Sequence, residues 1–379
     1  MPITLHWFLP TTGDSRGILG AGNAVGAHHK RASDVDGDRP PTLEYLGQIA
    51  RSAEQLGFHG ALTPTGTWCE DAWLTTAGLA QVSERLKFLV AFRPGLVTPT
   101  LAAQMAATFQ RQTRGRLMLN VVTGGDDTEQ QRFGDFLSKD ERYARADEFL
   151  TVVRGAWDGG FDFDGDHYVV RDARVEDPPE FPRIYFGGSS PAALEVAAKH
   201  TDVYLTWGEP PAQAAEKLDR VRVRAEAHGR ELDYGIRLHA ITRPTAEEAW
   251  AAAHRLIAHL SPEEIAAAQD KQKHSQSEGQ RRMRELHGGS TDGLEIHPNL
   301  WAGVGLLRGG AGTALVGSYE EVADRIAEYH EHGLDEFIFS GYPHLEEAYH
   351  VGEGVLPLLR DRGLLDPTNH PSAAPLGAV

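Results

Sequence analysis

Gly235-Ile236-Arg237-Leu238-His239-Ala240-Ile241 reads as a β-strand. A period of two puts Arg237 and His239 on one face and Ile236, Leu238 and Ala240 on the other. If both faces are buried, the charge and the imidazole need partners, because an unpaired buried charge is costly. One reading is a structural ion pair beside a satisfied core histidine. The other is a pair of side chains delivered to a site. The rest of the chain decides which face of which architecture this strand serves.

Working outward, the segments alternate. Ile3–Leu9, Gly60–Thr63, Lys87–Ala91, Leu117–Val122, Arg183–Phe186, Asp202–Thr206, Tyr234–Ile241 and Glu336–Ser340 read as strands. Apolar spacing and capping residues predict helices over Thr42–Leu56, Asp71–Val82, Ala102–Gln112, Asp140–Trp157, Pro191–His200, Pro211–His228, Ala246–His259 and Ser318–His332. Phe161–Val170 reads as a hairpin around Asp164-Gly165. Leu345–Arg362 reads as a closing helical stretch broken near Gly352-Glu353-Gly354. Eight strands, most followed by a helix, predict an α/β (β/α)8 TIM barrel, with the chemistry at the C-terminal ends of the strands. One domain over 1–365 is expected. A long loop over 15–41 and a mobile lid insertion over 261–312 interrupt it, and a loose tail follows over 366–379.

Lys plus Arg number 37 against 54 Asp plus Glu, a formal charge of −17. That balance disfavours nucleic acid or an anionic membrane as partner, yet allows a local basic pocket. A single Cys excludes an intrachain disulfide and suits a reducing cytoplasm. No signal-peptide pattern and no 18-residue apolar run stand in the sequence. No metal site is expected: the first strand offers only His6, and His28-His29 lacks a carboxylate framework.

Several strand ends carry chemistry. Gly187-Gly188-Ser189-Ser190 follows a strand and opens a helix, which suits a phosphate cradle as well as a plain N-capped turn. Trp207 can wall a pocket or simply pack. Cys69 stands at a helix start, where a thiol is activated, or serves as a small buried hydrophobe. Asn299–Gly312 is Gly-rich and carries Arg308, reading as a mobile loop able to bring a cation to an anion, or as a linker. Tyr342 and His344 follow the last strand and can donate hydrogen bonds or protons.

Taken together, WFLPTTGD, PTGTWCEDAW, FLVAFRPG, NVVTGGD, YFGGSS, YLTWGEPP, GIRLHAI, NLWAGVGLLRGGAGTALVG and SGYPHLEEAY resemble the reduced-FMN-dependent alkanesulfonate monooxygenases of the bacterial-luciferase-like group, over about residues 3 to 360. The resemblance implies a two-component system. A separate NAD(P)H-dependent flavin reductase supplies reduced FMN (FMNH2), and with O2 the enzyme splits the C–S bond of an organosulfonate into aldehyde and sulfite. It implies catalytic roles for Cys69, Arg237, His239, Arg308 and Tyr342, with Trp207 and His344 joining Arg237, His239 and Arg308 around the substrate. Asn120, Thr123, Tyr143, Gly188, Ser189, Ser190 and Trp207 are implied to hold the cofactor. It further implies a cytoplasmic homodimer or homotetramer. The alternatives are a deazaflavin (F420)-dependent oxidoreductase of the same superfamily, a sulfosugar-specific monooxygenase, and a non-catalytic binding barrel.

Two motifs depart from the family pattern. The family commonly reads PTHGD where Pro10-Thr11-Thr12-Gly13-Asp14 stands, and PTGRSC where Pro64-Thr65-Gly66-Thr67-Trp68-Cys69 stands. Both fall near the expected pocket mouth and bear on which sulfonate fits. By its own chemistry, Arg237 suits a two-pronged contact to a sulfonate. His239 titrates near neutrality when free and can hold or relay a proton.

Overall fold

In the computed structural model, which describes residues 2–18, 39–273 and 275–365, eight parallel strands close into a ring. We number them β1 (Thr4–Phe8), β2 (Gly60–Thr63), β3 (Lys87–Phe92), β4 (Leu117–Val121), β5 (Ile184–Gly187), β6 (Val203–Trp207), β7 (Asp233–Arg243) and β8 (Glu336–Ser340). Neighbours pair in chain order from β1 to β7, and β8 lies between β7 and β1 to shut the ring. Helices surround it, so the architecture is the expected (β/α)8 barrel. Every expected strand is present within a residue or two.

Strict alternation builds two cores. Trp7, Phe88, Val90, Leu119, Ile236, Leu238 and Phe337 face outward and pack under the helices. Phe8, Leu62, Leu89, Met118, Tyr185, Val203 and Ile338 fill the barrel interior. Below that layer the buried Glu336 takes hydrogen bonds from His6 Nε2 at 2.9 Å, Tyr185 Oη at 2.8 Å and Arg183 Nη1 at 2.9 Å. Burial alone would raise its carboxyl, but these partners hold it down at about 2. This polar plug closes the N-terminal end and leaves the other end for the site.

Local chemistry sets the helix starts. Asp71 caps Ala72–Leu79 by accepting from Leu74 N at 2.8 Å. Ser138 and Ser318 form capping boxes with Glu141 and Glu321. The third helix begins at Pro99 rather than Ala102, because proline fits the first turn. The hairpin is formed by Phe161–Asp164 and Val169–Ala173. The expected break near Gly352 is instead a π-helical turn, His350–Val355, that carries one helix into the next.

The largest departure lies beyond β7. Its distal half, His239–Arg243, pairs with an unanticipated strand, Ala314–Ser318, which pairs in turn with Leu300–Trp301. The segment read as a lid contains two helices, Pro262–Lys273 and Glu278–His287. Most of the expected 15–41 loop and the 366–379 tail lie outside the described residues. Among the described residues, no helix is long and apolar enough to cross a membrane.

Candidate active site

The register of β7 delivers its two polar residues to the interior. Arg237 stands level with Trp207 on β6 and Ile338 on β8, and His239 stands level with Ser340. Neither strand neighbour of Arg237 carries a carboxylate. Its guanidinium lies over the Phe8 ring, 4.4 Å from the centroid. Arg308, buried at 3 % exposure, reaches the same ring at 5.7 Å and Tyr342 at 5.4 Å. Among the described residues neither guanidinium makes a hydrogen bond or ion pair, and Arg237 Nε and Arg308 Nη1 are buried without partners. Burial pushes Arg237 down to about 10; burial and the charge of Arg237 push Arg308 down to about 9. Of the two readings of Arg237, the structural ion pair is therefore absent among the described residues. Two desolvated cations lie over the Phe8 ring instead.

His239 is a different kind of partner. Its Nε2 lies 3.1 Å from the Ala311 carbonyl and its Nδ1 2.9 Å from Ser340 Oγ. A carbonyl only accepts, so Nε2 carries the proton and Nδ1 accepts from Ser340. Burial, then the charges of Arg308 and Arg237, hold the ring well below its ordinary value, so it stays neutral. It stacks on Tyr342 at 5.5 Å and 18°. Both ring nitrogens of His239 are thus engaged within the protein. Tyr342 Oη is buried without a partner.

His344 completes the group. Its ring lies 5.6 Å from Phe8 and edge-on to Tyr342 at 5.4 Å. Its Nδ1 is 2.8 Å from Asp14 Oδ1, while its Nε2 is buried without a partner. Asp14, with no exposure, also accepts from the His344 backbone N at 2.8 Å and from Tyr45 Oη at 2.5 Å.

A second constellation lies across the barrel mouth. Ser190 caps Pro191–His200, and Tyr204 Oη donates to the Gly188 carbonyl at 2.7 Å. A Cβ on Gly188 would stand 2.6 Å from the Cβ of Ala193 and 3.5 Å from Tyr143 Oη, so only glycine leaves this cradle open. Asn120 lies one residue before the end of β4, and Thr123 follows the strand in a half-buried loop. Trp207 ends β6 beneath the lid: a Cβ on Gly279 would stand 3.0 Å from its ring.

Of the two readings of Cys69, its surroundings favour the small buried residue over the activated thiol. It packs toward the Pro64 and Gly66 carbonyls at 3.7 and 3.6 Å, and burial pushes it up to about 12. Its helix starts at Ala72 with Asp71 as the cap, so the thiol lies before the first turn. It remains protonated at neutral pH.

The model for luciferase-like monooxygenases matches residues 5–336, most of the chain. The chain belongs to the luciferase-like monooxygenase family. Among solved structures, it is similar to the riboflavin lyase RcaE (21% identity, 98% of this chain and 94% of the other, TM-score 0.79). It is similar also to the long-chain alkane monooxygenase LadA (20%, 97% and 93%, TM-score 0.77). An F420-dependent secondary alcohol dehydrogenase lies further off (17%, 95% and 100%, TM-score 0.66). At these identities the likeness speaks to the fold.

Within this family fold, the lid segment sets the position of Arg308. Gln269 Nε2 donates to the Leu306 carbonyl at 2.7 Å and the Gly305 carbonyl at 3.2 Å, and Gly310 N donates to Gln280 Oε1 at 2.8 Å. The buried Glu209, after β6, pairs with both Lys217 and Arg282 on the helix Glu278–His287. The lid is thus latched to the barrel wall. Asp14, Phe8, Ser340 and Glu209 were not among the foreseen site residues. Asp14 ends the WFLPTTGD stretch just past β1, and that strand-end position was the signal for it.

Proposed function

We propose that the chain is a two-component monooxygenase that uses reduced FMN and O2 to cleave the C–S bond of an organosulfonate, releasing aldehyde and sulfite. The observation that carries this reading is the pair Arg237 and Arg308, desolvated and without a carboxylate among the described residues. Two such guanidinium groups call for an anion with several acceptor oxygens.

The cofactor fits the residues present. Gly188, Ser189, the start of the helix Pro191–His200 and Tyr143 would hold its phosphate, in the cradle that a Cβ would fill. Asn120, Thr123 and Trp207 would flank its ring. When bound, reduced FMN supplies the electrons that activate O2, and a separate NAD(P)H-dependent reductase replenishes it. Arg237 and Arg308 hold the sulfonate oxygens, Tyr342 donates from Oη, and His239 orients Tyr342 by stacking. The lid helices exclude water, which strengthens every charge interaction inside. We place the enzyme in the cytoplasm as a homodimer or homotetramer.

The test is a sulfite assay over a panel of alkanesulfonates and sulfosugars with a flavin reductase present. Sulfite is expected only when reduced FMN, O2 and a sulfonate are all supplied. A panel that never yields sulfite, or exclusive binding of a deazaflavin in a fluorescence titration, overturns the reading.

A further inference from the structure

His344 and Asp14 form a dyad that the anion site does not need. Asp14 receives four donors, and although burial alone would raise its carboxyl, His344 and Tyr45 hold it below the ordinary range. As a carboxylate it can only accept, so His344 Nδ1 donates to it, and Nε2 is the nitrogen left for an occupant. Nε2 is buried, unpartnered among the described residues, and on a ring beside Phe8 and Tyr342. Behind Asp14, Arg39 donates to Tyr45 Oη at 3.0 Å and pairs with Glu346 at 2.5 Å, which fixes the carboxylate from outside.

An anion's oxygens fit Arg237, Arg308 and Tyr342 Oη, all donors. The neutral tautomer of His344 that donates to Asp14 offers an acceptor at Nε2, which suits an occupant that brings a proton-bearing group there and an anionic group to the arginines. On the reading above, the oxygenated carbon bears both: a 1-hydroxysulfonate must lose sulfite to become an aldehyde.

We propose that His344, positioned by Asp14, is the general base that collapses a 1-hydroxysulfonate held by Arg237 and Arg308, so that the protein carries a redox-independent C–S lyase activity. The hydroxyl proton passes to Nε2, and the O–H electron pair becomes the second bond of the carbonyl. The C–S bond breaks, its electron pair leaving with sulfite. No electrons enter or leave the system. The sulfonate's single negative charge becomes the double charge of sulfite, and this growth occurs beside the two guanidinium groups, where it is most stabilised. The imidazolium left on His344 is paired with Asp14, as a His–carboxylate couple requires. This inference rests on the sulfonate reading of the site.

The test needs neither reductase nor O2. The propanal–bisulfite adduct, 1-hydroxypropane-1-sulfonate, is given to the protein with and without oxidised FMN, and aldehyde is followed with a coupling dehydrogenase. Wild type is expected to release aldehyde about 100-fold faster than buffer, the lower range of general-base catalysis. H344Q is expected to fall to the buffer rate while still binding the adduct by calorimetry. D14N is expected to lose at least about tenfold in rate, with affinity kept, and to change the tautomer of His344 seen by 15N NMR; D14E restores both in part. Release at the buffer rate in wild type, whether or not the adduct binds, overturns the proposal, as does an H344Q variant as fast as wild type. Sulfite from a plain sulfonate with reduced FMN but no adduct cleavage sinks the dyad alone. Adduct cleavage without that sulfite sinks the monooxygenase reading and leaves the dyad standing.

Discussion

Replacing Arg308 by Met should make the unliganded protein more stable and blind to anions. Burial and Arg237 bring the Arg308 guanidinium down to about 9, which at 1.36 kcal/mol per tenfold in proton affinity is an electrostatic cost of about 5 kcal/mol at neutral pH. Met keeps most of the stem volume and removes the charge. Against that gain stand the contacts of the guanidinium over Phe8 and Tyr342, worth about 0.5–2 kcal/mol each. A net stabilisation of about 1–4 kcal/mol follows, in line with other buried charges replaced by apolar residues. Urea unfolding at pH 7.5, in buffer free of sulfate and phosphate, reads it as a higher midpoint. Saturating sulfonate at 100 times its Kd should stabilise wild type by about 2.7 kcal/mol and R308M hardly at all. R237M should behave alike, and the double variant should gain less than the sum, because each single change already removes the shared repulsion. Suppose instead that R308M loses about 3–5 kcal/mol, the signature of a broken buried pair, or keeps its response to sulfonate. Either result refutes the picture of two uncompensated cations awaiting an anion.

Other expectations follow from the same geometry. Cys69, pushed up to about 12, should react with iodoacetamide at pH 8 far more slowly than an ordinary thiol, and C69A should keep turnover within a few-fold; rapid labelling would show an activated thiol. His239 is held well below its ordinary value and burial holds His287 down to about 4, so the unfolded chain takes protons that the folded one refuses. Stability should be level above pH 6.5 and fall as pH drops from 6.5 toward 4, and H287F should flatten part of that slope in urea midpoints. E209Q leaves Lys217 buried without its countercharge and should cost about 3–5 kcal/mol. R282A, at the half-exposed end of the latch, should speed hydrogen exchange in Glu278–His287 while β1–β8 stay protected; uniform loosening would show that the latch is no separate device.

The barrel was legible in the sequence because its strands are buried on both faces and alternate cleanly, and β7 is the clearest case. Its period of two put Arg237 and His239 inward before any neighbour was known. What escaped depended on partners far along the chain. Ala314–Ser318 is a short strand templated in parallel by the overhang of β7, some 75 residues earlier in sequence. Arg308 sits in a Gly-rich run that reads as a loop. Its order comes from Gln269 and Gln280, whose side chains satisfy the backbone of that run. Cys69 stayed ambiguous because a helix start suggests activation locally, whereas burial acts against it. Asp14 read as turn chemistry, and its meaning appears only with His344, 330 residues away.

The distribution of carboxylates explains why the arginines stay unpaired. The chain has an excess of 17 negative charges, so counterions for two cations are not scarce. Yet Arg237 is flanked in register by Trp207 and Ile338, and Asp14, the carboxylate near the cluster among the described residues, is turned onto His344, Tyr45 and two backbone N–H groups. Arg39 then draws Glu346 away from the cluster. Glu209 is drawn off in the same way by Lys217 and Arg282. Each nearby acid has a fixed engagement, so a ligand anion meets cations that need no rearrangement to receive it. The cost is a locally destabilised pocket, and an acidic surface that slows approach of an anion from solution. A barrel that merely needed to fold would have placed an apolar residue at 308, which is why the stability of R308M is the sharpest test of what this site is for.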